Sequence, residues 1–469
     1  MSSDQEYRQP NISNESFLKG ETVNPSSFRE VPSSRRALRR QPPNEATRFL
    51  MEQVIQKTNV QKALKRVIAN QGAAGVDKME VTDLPAFLTR SWPRIQTELL
   101  AGTYHPQPVK RVEIPKTGGG TRLLGIPTAV DRFIQQAILQ VLSPLIDPTF
   151  SEASFGFRPG RNAHQAIERA RQYIEEGYEV VVDIDLEKFF DRVNHDILMH
   201  RLSCRIADKR LLKLIRAYLS AGVMVEGVRM NVEEGTPQGG PLSPLLANIL
   251  LDDLDQELTR RGHRFVRYAD DCNIYVKTER AGQRVMDSVK EFLSKKLKLT
   301  VNKEKSAVDH VKKRKFLGFS FLIRKGEVLL TLPRQSKERF KTSIRRLTAG
   351  HTGCPLAERI RRLNSYLTGW VAYYHHADTS TFFRDMDSWI RHRLRMCLLK
   401  QWKKPATVKR HLLARGIAPI EAAQLSSSRL GYWRLSLSPQ MHRAFDNIFW
   451  KLNGLVSLLD KYQKLRVSF

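Results

Sequence analysis

The chain lacks the features that would place it outside a cell or within a membrane. Its 469 residues include four cysteines, Cys204, Cys272, Cys354 and Cys397. None are spaced as Cys-x-x-Cys and none lie beside a histidine pair, which argues against a zinc site and against a disulfide framework. No apolar run approaches the roughly 18 residues of a membrane span. The polar N-terminus has no secretory pattern, so the expected location is a reducing cytoplasm. Acidic residues are in short supply too: 48 Asp+Glu stand against 78 Lys+Arg, a formal net charge of +30. Such an excess calls for a polyanionic partner. An anionic membrane surface or a merely basic surface are the alternatives, but the interleaving of basic residues with aromatics favours nucleic acid. Core-forming material is plentiful: hydrophobic residues make up 41%, and the length allows two or three domains.

Composition divides the chain. Residues 1–43 are rich in Ser, Asn, Pro and Arg, lack apolar periodicity and end in SSRRALRRQPP, a flexible basic arm. Asn44 reads as the N-cap of a helix over EATRFLMEQVIQ. Residues 44–107 form an N-terminal extension and the start of the next domain, with a helix from Thr82 to Leu100. PVKRVEIPKTGGGTRLLGIP (108–127) reads as two strands around a Gly-rich turn. Helices are expected at 128–142, 161–176 and 194–221. A buried strand opens EVVVDIDLEKFF (179–190), and PQGGPLSPLLANILLDDLDQEL (237–258) is a loop leading into a long helix. RFVRYADDCNIYVKT (264–278) is two strands around a tight polar turn. Strands in KFLGFSFLI and EVLLTL close the region 108–333. Past Pro333 the pattern turns helical, and residues 331–415 carry 19 Lys+Arg against 5 Asp+Glu, a local net of +14. A separate basic helical domain is expected over 334–415. Residues 416–469 are helical in part and carry Trp433 and Trp450.

Two clusters of carboxylates carry the chemistry. Asp270 and Asp271 lie between alternating apolar runs, at the tip of the expected hairpin; an ordinary Asp-containing turn has the same pattern. In VVVDIDL, alternation puts Asp183 and Asp185 on one face of a strand that should be buried. Unpaired carboxylates there are costly, so they imply a metal, an open strand end or a salt bridge to a nearby Lys or Arg. Taken together, the two clusters meet the need of nucleotidyl transfer. That reaction uses two Mg²⁺ ions about 3.5–4 Å apart, and a few carboxylates from different strands suffice because Mg²⁺ keeps several waters.

Tyr268-Ala269-Asp270-Asp271 resembles the signature tetrapeptide of reverse transcriptases. Asp185, followed five residues later by Phe190, resembles the Asp–aromatic spacing of their first palm motif. Further blocks, in order, resemble the group II intron reverse transcriptases, or maturases: IPKTGGGTRLLGIPTAVDR (114–132), SFGFRPGRNAHQAI (154–167), EGTPQGGPLSPLLANILL (234–251), LTVNKEKS (299–306) and RKFLGFSF (314–321). GWVAYYHHADT (369–379) resembles their maturase-specific thumb. The likeness runs from Asn44 to about Arg415.

The resemblance implies an α+β right-hand polymerase, with fingers and palm over 108–333 and an α-helical thumb/maturase domain over 334–415. It implies an RNA-directed DNA polymerase that copies intron RNA into DNA from a primer at a DNA target, using dNTPs, and that binds the intron RNA to assist its splicing. It would act in the bacterial cytoplasm at the nucleoid, with no membrane partner; the oligomeric state is left open. Asp185, Asp270 and Asp271 would be catalytic and hold two Mg²⁺, with a backbone carbonyl of Ile184 or Leu186 as a further ligand and Asp183 behind them. Lys116 and Arg122 would clamp the triphosphate, a point charge and a fork suited to that task. Gln238 would hydrogen-bond beside Gly239 and Gly240, whose lack of side chains leaves room for a passing nucleotide. Phe190 would gate against a 2′-hydroxyl, unless it is core and Phe189 plays that part. Lys305 would neutralise or protonate the leaving pyrophosphate, although a solvated lysine in NKEK fits as well. Arg361 and Arg362, with Asn364 and Thr368, would face RNA phosphates, while Leu363, Leu367, Trp370 and Tyr374 follow a buried helical stripe. Many relatives carry a C-terminal zinc-dependent endonuclease. Residues 416–469 hold no cysteine and one histidine, His442, so that module is not expected there and the segment stands as a candidate DNA binder. Two rival readings are a splicing factor that no longer polymerises and a reverse transcriptase recruited to phage defence or CRISPR. The intact aspartates argue against the first and the maturase-like thumb against the second.

Overall fold

The computed structural model describes residues 45–115, 121–225, 228–230, 234–236, 239–350 and 353–467. The basic arm, Asn44, Lys116 and Gln238 lie outside them. Chain contacts define two compact units, Met1–Arg169 with Val182–Val308 and Ala170–Val181 with Asp309–Phe469.

The first unit contains, in chain order, α1 (Leu50–Ile55), α2 (Lys57–Ala69), α3 (Leu84–Ala101), β1 (Val109–Pro115), β2 (Thr121–Ile126), α4 (Ala129–Ile146) and α5 (Ala163–Glu175). After β3 (Val180–Ile184) come α6 (His195–Ser203), α7 (Lys209–Leu219), β4 (Val223–Val225), β5 (Val228–Met230), α8 (Ser243–Arg260), β6 (Arg264–Tyr268), β7 (Asp271–Val276), α9 (Glu279–Phe292) and β8 (Ala307–His310). The ends of α5, β3 and β8 run across the division between units. One four-stranded sheet has the order β2-β1-β4-β5 and another β6-β7-β3-β8. The hairpin expected at 108–127 is present, β1 running antiparallel to β2 with Val112 opposite Leu124.

Two expected helices are shorter than the sequence pattern suggests, and Asp208 accounts for much of both changes. The pattern at 194–221 breaks into α6 and α7 because Asp208 caps α7, its carboxylate accepting from the N–H groups of Arg210 and Leu211. The same carboxylate takes the Met51 N–H at 2.9 Å, and the Asp208 N–H donates to the Thr47 carbonyl at 3.1 Å. This tertiary anchor fits the late start of the first helix, at Leu50 after a short 3-10 turn over Glu45–Thr47. That helix then breaks at Gln56, where ψ is 134°.

The second unit opens with β9 (Lys315–Phe316), β10 (Phe319–Arg324) and β11 (Glu327–Thr331), antiparallel in the order β11-β10-β9. Helices follow: α10 (Arg334–Leu347), α11 (Leu356–Tyr374), α12 (Ser380–Trp402), α13 (Pro405–Leu413), α14 (Pro419–Ser426), α15 (Tyr432–Leu435), α16 (Pro439–Ala444), α17 (Asn447–Leu452) and α18 (Leu458–Val467). The division falls at Asp309, upstream of the change in composition at Pro333, because these strands bond to the helices. The Asp378 N–H donates to the Leu330 carbonyl at 2.7 Å, and the Tyr373 hydroxyl donates to the Leu317 carbonyl at 2.8 Å. Leu363, Leu367 and Val371 of α11 are fully buried; half-buried Trp370 packs against Phe340 and Tyr374, so these aromatics line the edge of the core. No helix among the described residues is long and apolar enough to cross a membrane.

Helix α9 lies close over the sheet that carries the carboxylates. A Cβ added at Gly282 would sit 2.5 Å from Val308 Cγ1, 3.4 Å from Val276 Cγ2 and 3.5 Å from Val182 Cγ2. Gly282→Ala should therefore lower the melting temperature: overpacking costs about 1–3 kcal/mol and outweighs the roughly 1 kcal/mol gained in helix propensity. A melting temperature equal to or above that of the wild type would show that the contact gives way.

Candidate active site

Strand β3 is buried through Val182 and Ile184, with Asp183 half-buried between them. Asp185 follows at the strand's end, where its backbone is held from the side. Its N–H donates to the Ser306 hydroxyl at 2.9 Å, and its carbonyl accepts from the Asn302 N–H at 2.8 Å. The block 299–306 thus fixes where the Asp185 carboxylate stands. From the same block, Lys305 Nζ reaches 3.5 Å from Asp185 Oδ2, an ion pair with the lysine largely exposed.

The second pair of carboxylates comes from the β6–β7 hairpin. Tyr268 pairs with Asp271, leaving a two-residue turn of Ala269 and Asp270. Ala269 adopts φ 59°, a left-handed conformation that costs an alanine about 1–2 kcal/mol. Its carbonyl accepts from Arg267 Nη1 at 2.8 Å. That guanidinium is wholly buried with its partner Asp255. It donates to Asp255 through Nε at 2.7 Å and Nη2 at 2.5 Å, to Asn248 Oδ1 at 2.9 Å and to the Ser154 hydroxyl at 2.8 Å. All five N–H donors are satisfied. Desolvation works against the charge on Arg267, but Asp255 holds its pKa above the usual value. The fork geometry requires the ionised carboxylate.

The segment 154–156 seals this arrangement. The Asn248 amide donates to the Gly156 carbonyl at 2.9 Å, and the Phe155 N–H donates to the Arg267 carbonyl at 2.9 Å. A Cβ at Gly156 would lie 2.1 Å from the Ala269 nitrogen, so a glycine is needed where this segment passes the turn. The Arg267 network was missed in the sequence. Its signal was there: an arginine in an apolar strand, and Asn248 and Asp255 seven residues apart on one face of α8.

Asp183, Asp185 and Asp270 all act on the charge of Asp271, and Lys305 is the cation that opposes them. Asp271 keeps an exposed edge, yet crowding around its carboxyl strips hydration from the remainder. That desolvation, followed by the charges of Asp270, Asp185 and Asp183, pushes its pKa up to about 7, with Lys305 opposing. A cluster of this kind is poorly neutralised by the protein itself, and hard oxygen donors from two strands suit a divalent cation.

The other expected residues fall in different settings. Phe190 is 8% and Phe189 3% exposed, their rings edge-to-face at 5.1 Å. The Phe190 carbonyl accepts from the Thr236 N–H at 2.6 Å, so the start of the PQGG loop closes on this turn. Added Cβ atoms would meet the Gly125 carbonyl at 2.6 Å from Gly239 and Gln135 Oε1 at 2.5 Å from Gly240. The room these glycines leave is taken by protein rather than kept for a nucleotide. Arg122 lies in β2 opposite Ile114; its side chain is outside the described structure. Arg361 and Arg362 are exposed and both pair with Glu358 at 2.7 Å. The polar stripe expected beside them is engaged elsewhere: Asn364 bonds to the backbone of Gly454 and Val456, and Thr368 accepts from Lys461.

The reverse transcriptase (RNA-dependent DNA polymerase) family model matches residues 114–321, and the group II intron maturase-specific domain matches 337–416. Protein YkfC of Escherichia coli K12 is 32% identical over 345 residues, which cover 63% of this chain and 90% of YkfC. The chain belongs to the group II intron reverse transcriptase/maturase family. Group II intron-encoded protein LtrA of Lactococcus lactis subsp. cremoris is 28% identical over 366 residues, 64% of this chain and 60% of LtrA. Among solved structures, a chain of a partial Cas6-RT-Cas1–Cas2 complex shares 26% identity over 52% of this chain and 42% of that one; its TM-score of 0.34 gives it no weight here. The maturase-family chain is thus an RNA-directed DNA polymerase with an α+β polymerase fold and a helical maturase domain, of a kind that works with divalent metal ions.

The raised pKa of Asp271 has a sign that can be measured. With chelator present, the folded state keeps a proton that the unfolded state releases at the ordinary aspartate value of 3.8. Stability of the chelated protein should fall as pH rises from about 4 to 7 and then level off. Asp271→Asn should flatten that fall, raise the chelated protein's melting temperature at pH 8 and reduce the stabilisation that divalent ions give. A melting temperature that drops in the chelated variant would show that the carboxylates do not repel.

Proposed function

We propose that this chain copies intron RNA into DNA from a primer at a DNA target, with Asp185, Asp270 and Asp271 as its catalytic residues. The observation carrying this reading is that Asp185 at a strand end and Asp270 in a turn that a buried ion pair fixes both raise the pKa of Asp271, so the three carboxylates lie within electrostatic reach of one another. In the reaction the primer 3′-oxygen forms a bond to the α-phosphorus of a dNTP, the bond to pyrophosphate breaks, and the hydroxyl proton leaves. Two Mg²⁺ ions, when bound, would lower the cost of that oxyanion and of the leaving charge. The protein's own part is to hold the ligand oxygens rigidly. In this reading Lys305 would offset or protonate the departing pyrophosphate, Lys116 and Arg122 would clamp the triphosphate, and Gln238 would hydrogen-bond beside the nucleotide. A carbonyl of Ile184 or Leu186 would add a ligand.

The fingers and palm occupy residues 108–333 in this reading, and the thumb and maturase region 334–415, where intron RNA is gripped through its phosphates by Arg361 and Arg362 among others. Each of those arginines shares Glu358, so both can turn to a phosphate at little cost. The protein would work in the cytoplasm.

Primer extension on an RNA template tests the metal assignment. Asp270→Ala should abolish synthesis while RNA affinity and melting behaviour stay near wild type; full extension would exclude the assignment. Sugar choice tests the Phe190 gate. Phe190→Val should raise rNTP incorporation far more than it alters dNTP incorporation, whereas Phe189→Val should chiefly destabilise the fold by opening a core cavity. If the two exchange behaviours, Phe189 is the gate; if neither admits rNTPs, both rings are core.

A further inference from the structure

Helix α12 carries an arginine whose surroundings fit no internal purpose fully. Arg395 is 3% exposed, and its guanidinium meets neutral acceptors: Nε donates to the Ser436 carbonyl at 3.0 Å, Nη1 to the Phe445 carbonyl at 3.3 Å and Nη2 to His442 Nε2 at 3.1 Å. Five donors find three acceptors. Beside it opens a cavity of about 290 Å³, lined also by Ser388, Arg391, His442, Phe445, Asp446 and Asn447. Neither Arg391 nor Arg395 forms an ion pair among the described residues. The nearest acid along α12 is committed: Asp387 accepts from the Leu458 and Leu459 N–H groups and the Ser457 hydroxyl. Asp446, at the rim, uses Oδ1 to accept from the Phe449 N–H at 2.8 Å. Burial first, then Arg395, His392 and Arg391, lower the pKa of His442, which leaves it neutral and able to accept from Arg395. Burial and then Arg391 bring Arg395 down to about 10, so it stays charged at neutral pH.

A desolvated guanidinium with a second arginine beside it and no carboxylate at ion-pair distance is costly, and the one carboxylate lining the cavity, Asp446, has an oxygen turned to the start of α17. Both forks face a cavity whose mouth is open, with Ser388, His442 and Asn447 exposed. Two guanidiniums with a hydroxyl and an amide at the rim suit a tetrahedral oxyanion, which accepts from several directions at once. We propose that this pocket receives one backbone phosphate of a nucleic-acid strand, a contact that Arg361 and Arg362 do not make. The proposal rests on the reading of the chain as a polymerase that grips nucleic acid. It adds a specific seat for a phosphodiester where α12 meets the segment 442–447.

The test is a charge series at Arg391, which is half-buried, so its substitutions leave the carbonyl bonds of Arg395 intact. Single-stranded RNA and DNA of one sequence are titrated into the full chain across a salt series, alongside a melting curve for each variant. Arg391→Gln should weaken binding about tenfold and reduce the log–log salt slope by about 0.7, one phosphate on a single strand. Arg391→Glu should weaken it further, and Arg391→Lys should restore most of it. Loss confined to RNA, confined to DNA or shared by both supports the pocket and names the strand it takes. Wild-type affinity and slope in Arg391→Gln and Arg391→Glu overturn the proposal, as does an equal loss in all three variants, Lys included, which marks a structural effect. The protein with Arg361→Ala and Arg362→Ala separates the failures: if it loses RNA affinity while the Arg391 series does not, the pocket fails and the RNA-binding reading stands.

Discussion

A guanidinium with no access to water must find an acceptor for each of its five donors, and at Arg267 that requirement organises the surroundings of the carboxylates. Asp255 and Asn248 come from one face of α8, Ser154 from the segment after α4, and the Ala269 carbonyl from the turn itself. Moving any of these leaves a buried donor unpaired, a penalty of about 1–3 kcal/mol or more for a charged group. The turn that presents Asp270 and Asp271 is thereby held from behind in a strained conformation. Gly156 completes the clamp by letting the backbone at 155–156 approach the Ala269 nitrogen more closely than any side chain would permit.

Rigidity matters because the carboxylates in front of the turn repel one another. Asp271 feels Asp270, Asp185 and Asp183 with Lys305 as counterweight, although the whole chain carries a net +30. The positive excess lies elsewhere, notably in the +14 of residues 331–415. Opposite electrostatic tasks are thus kept apart in sequence. A compact negative site can take small cations, and a broad positive surface can take a polyanion.

Much of this was legible in the sequence because it is local. Alternation gave β3 and the hairpin over 264–278, and the ordered blocks gave the family. Helical periodicity sorted Leu363, Leu367, Trp370 and Tyr374 into the core. What was not legible depended on partners remote in the chain. Asp208 reads as a surface acid until Met51 and Thr47 are seen to bond it. Asn364 and Thr368 looked like an RNA-facing stripe because the segment that takes them lies about 90 residues later. The glycines of PQGG read as space for a ligand, yet Gly125 and Gln135 occupy that space. Arg267 looked like one more basic residue in a basic chain; its burial could be inferred from the strand pattern, but its five acceptors could not.

The central claim is that the Arg267–Asp255 pair positions the turn proposed to be catalytic rather than merely stabilising the fold. Replacing the pair with apolar residues of similar volume, Arg267→Met with Asp255→Leu, removes the bond to the Ala269 carbonyl without stranding a buried charge, at the cost of the neutral groups of Ala269, Asn248 and Ser154 that lose a donor. The decisive measurement is single-turnover primer extension on RNA by this double variant, with its melting temperature and metal dependence. The account predicts a folded protein with a lowered melting temperature, weaker divalent-ion dependence and a rate of synthesis reduced by about 100-fold, with template affinity unchanged. A stable double variant that extends primers at the wild-type rate, with the wild-type metal requirement, would contradict it.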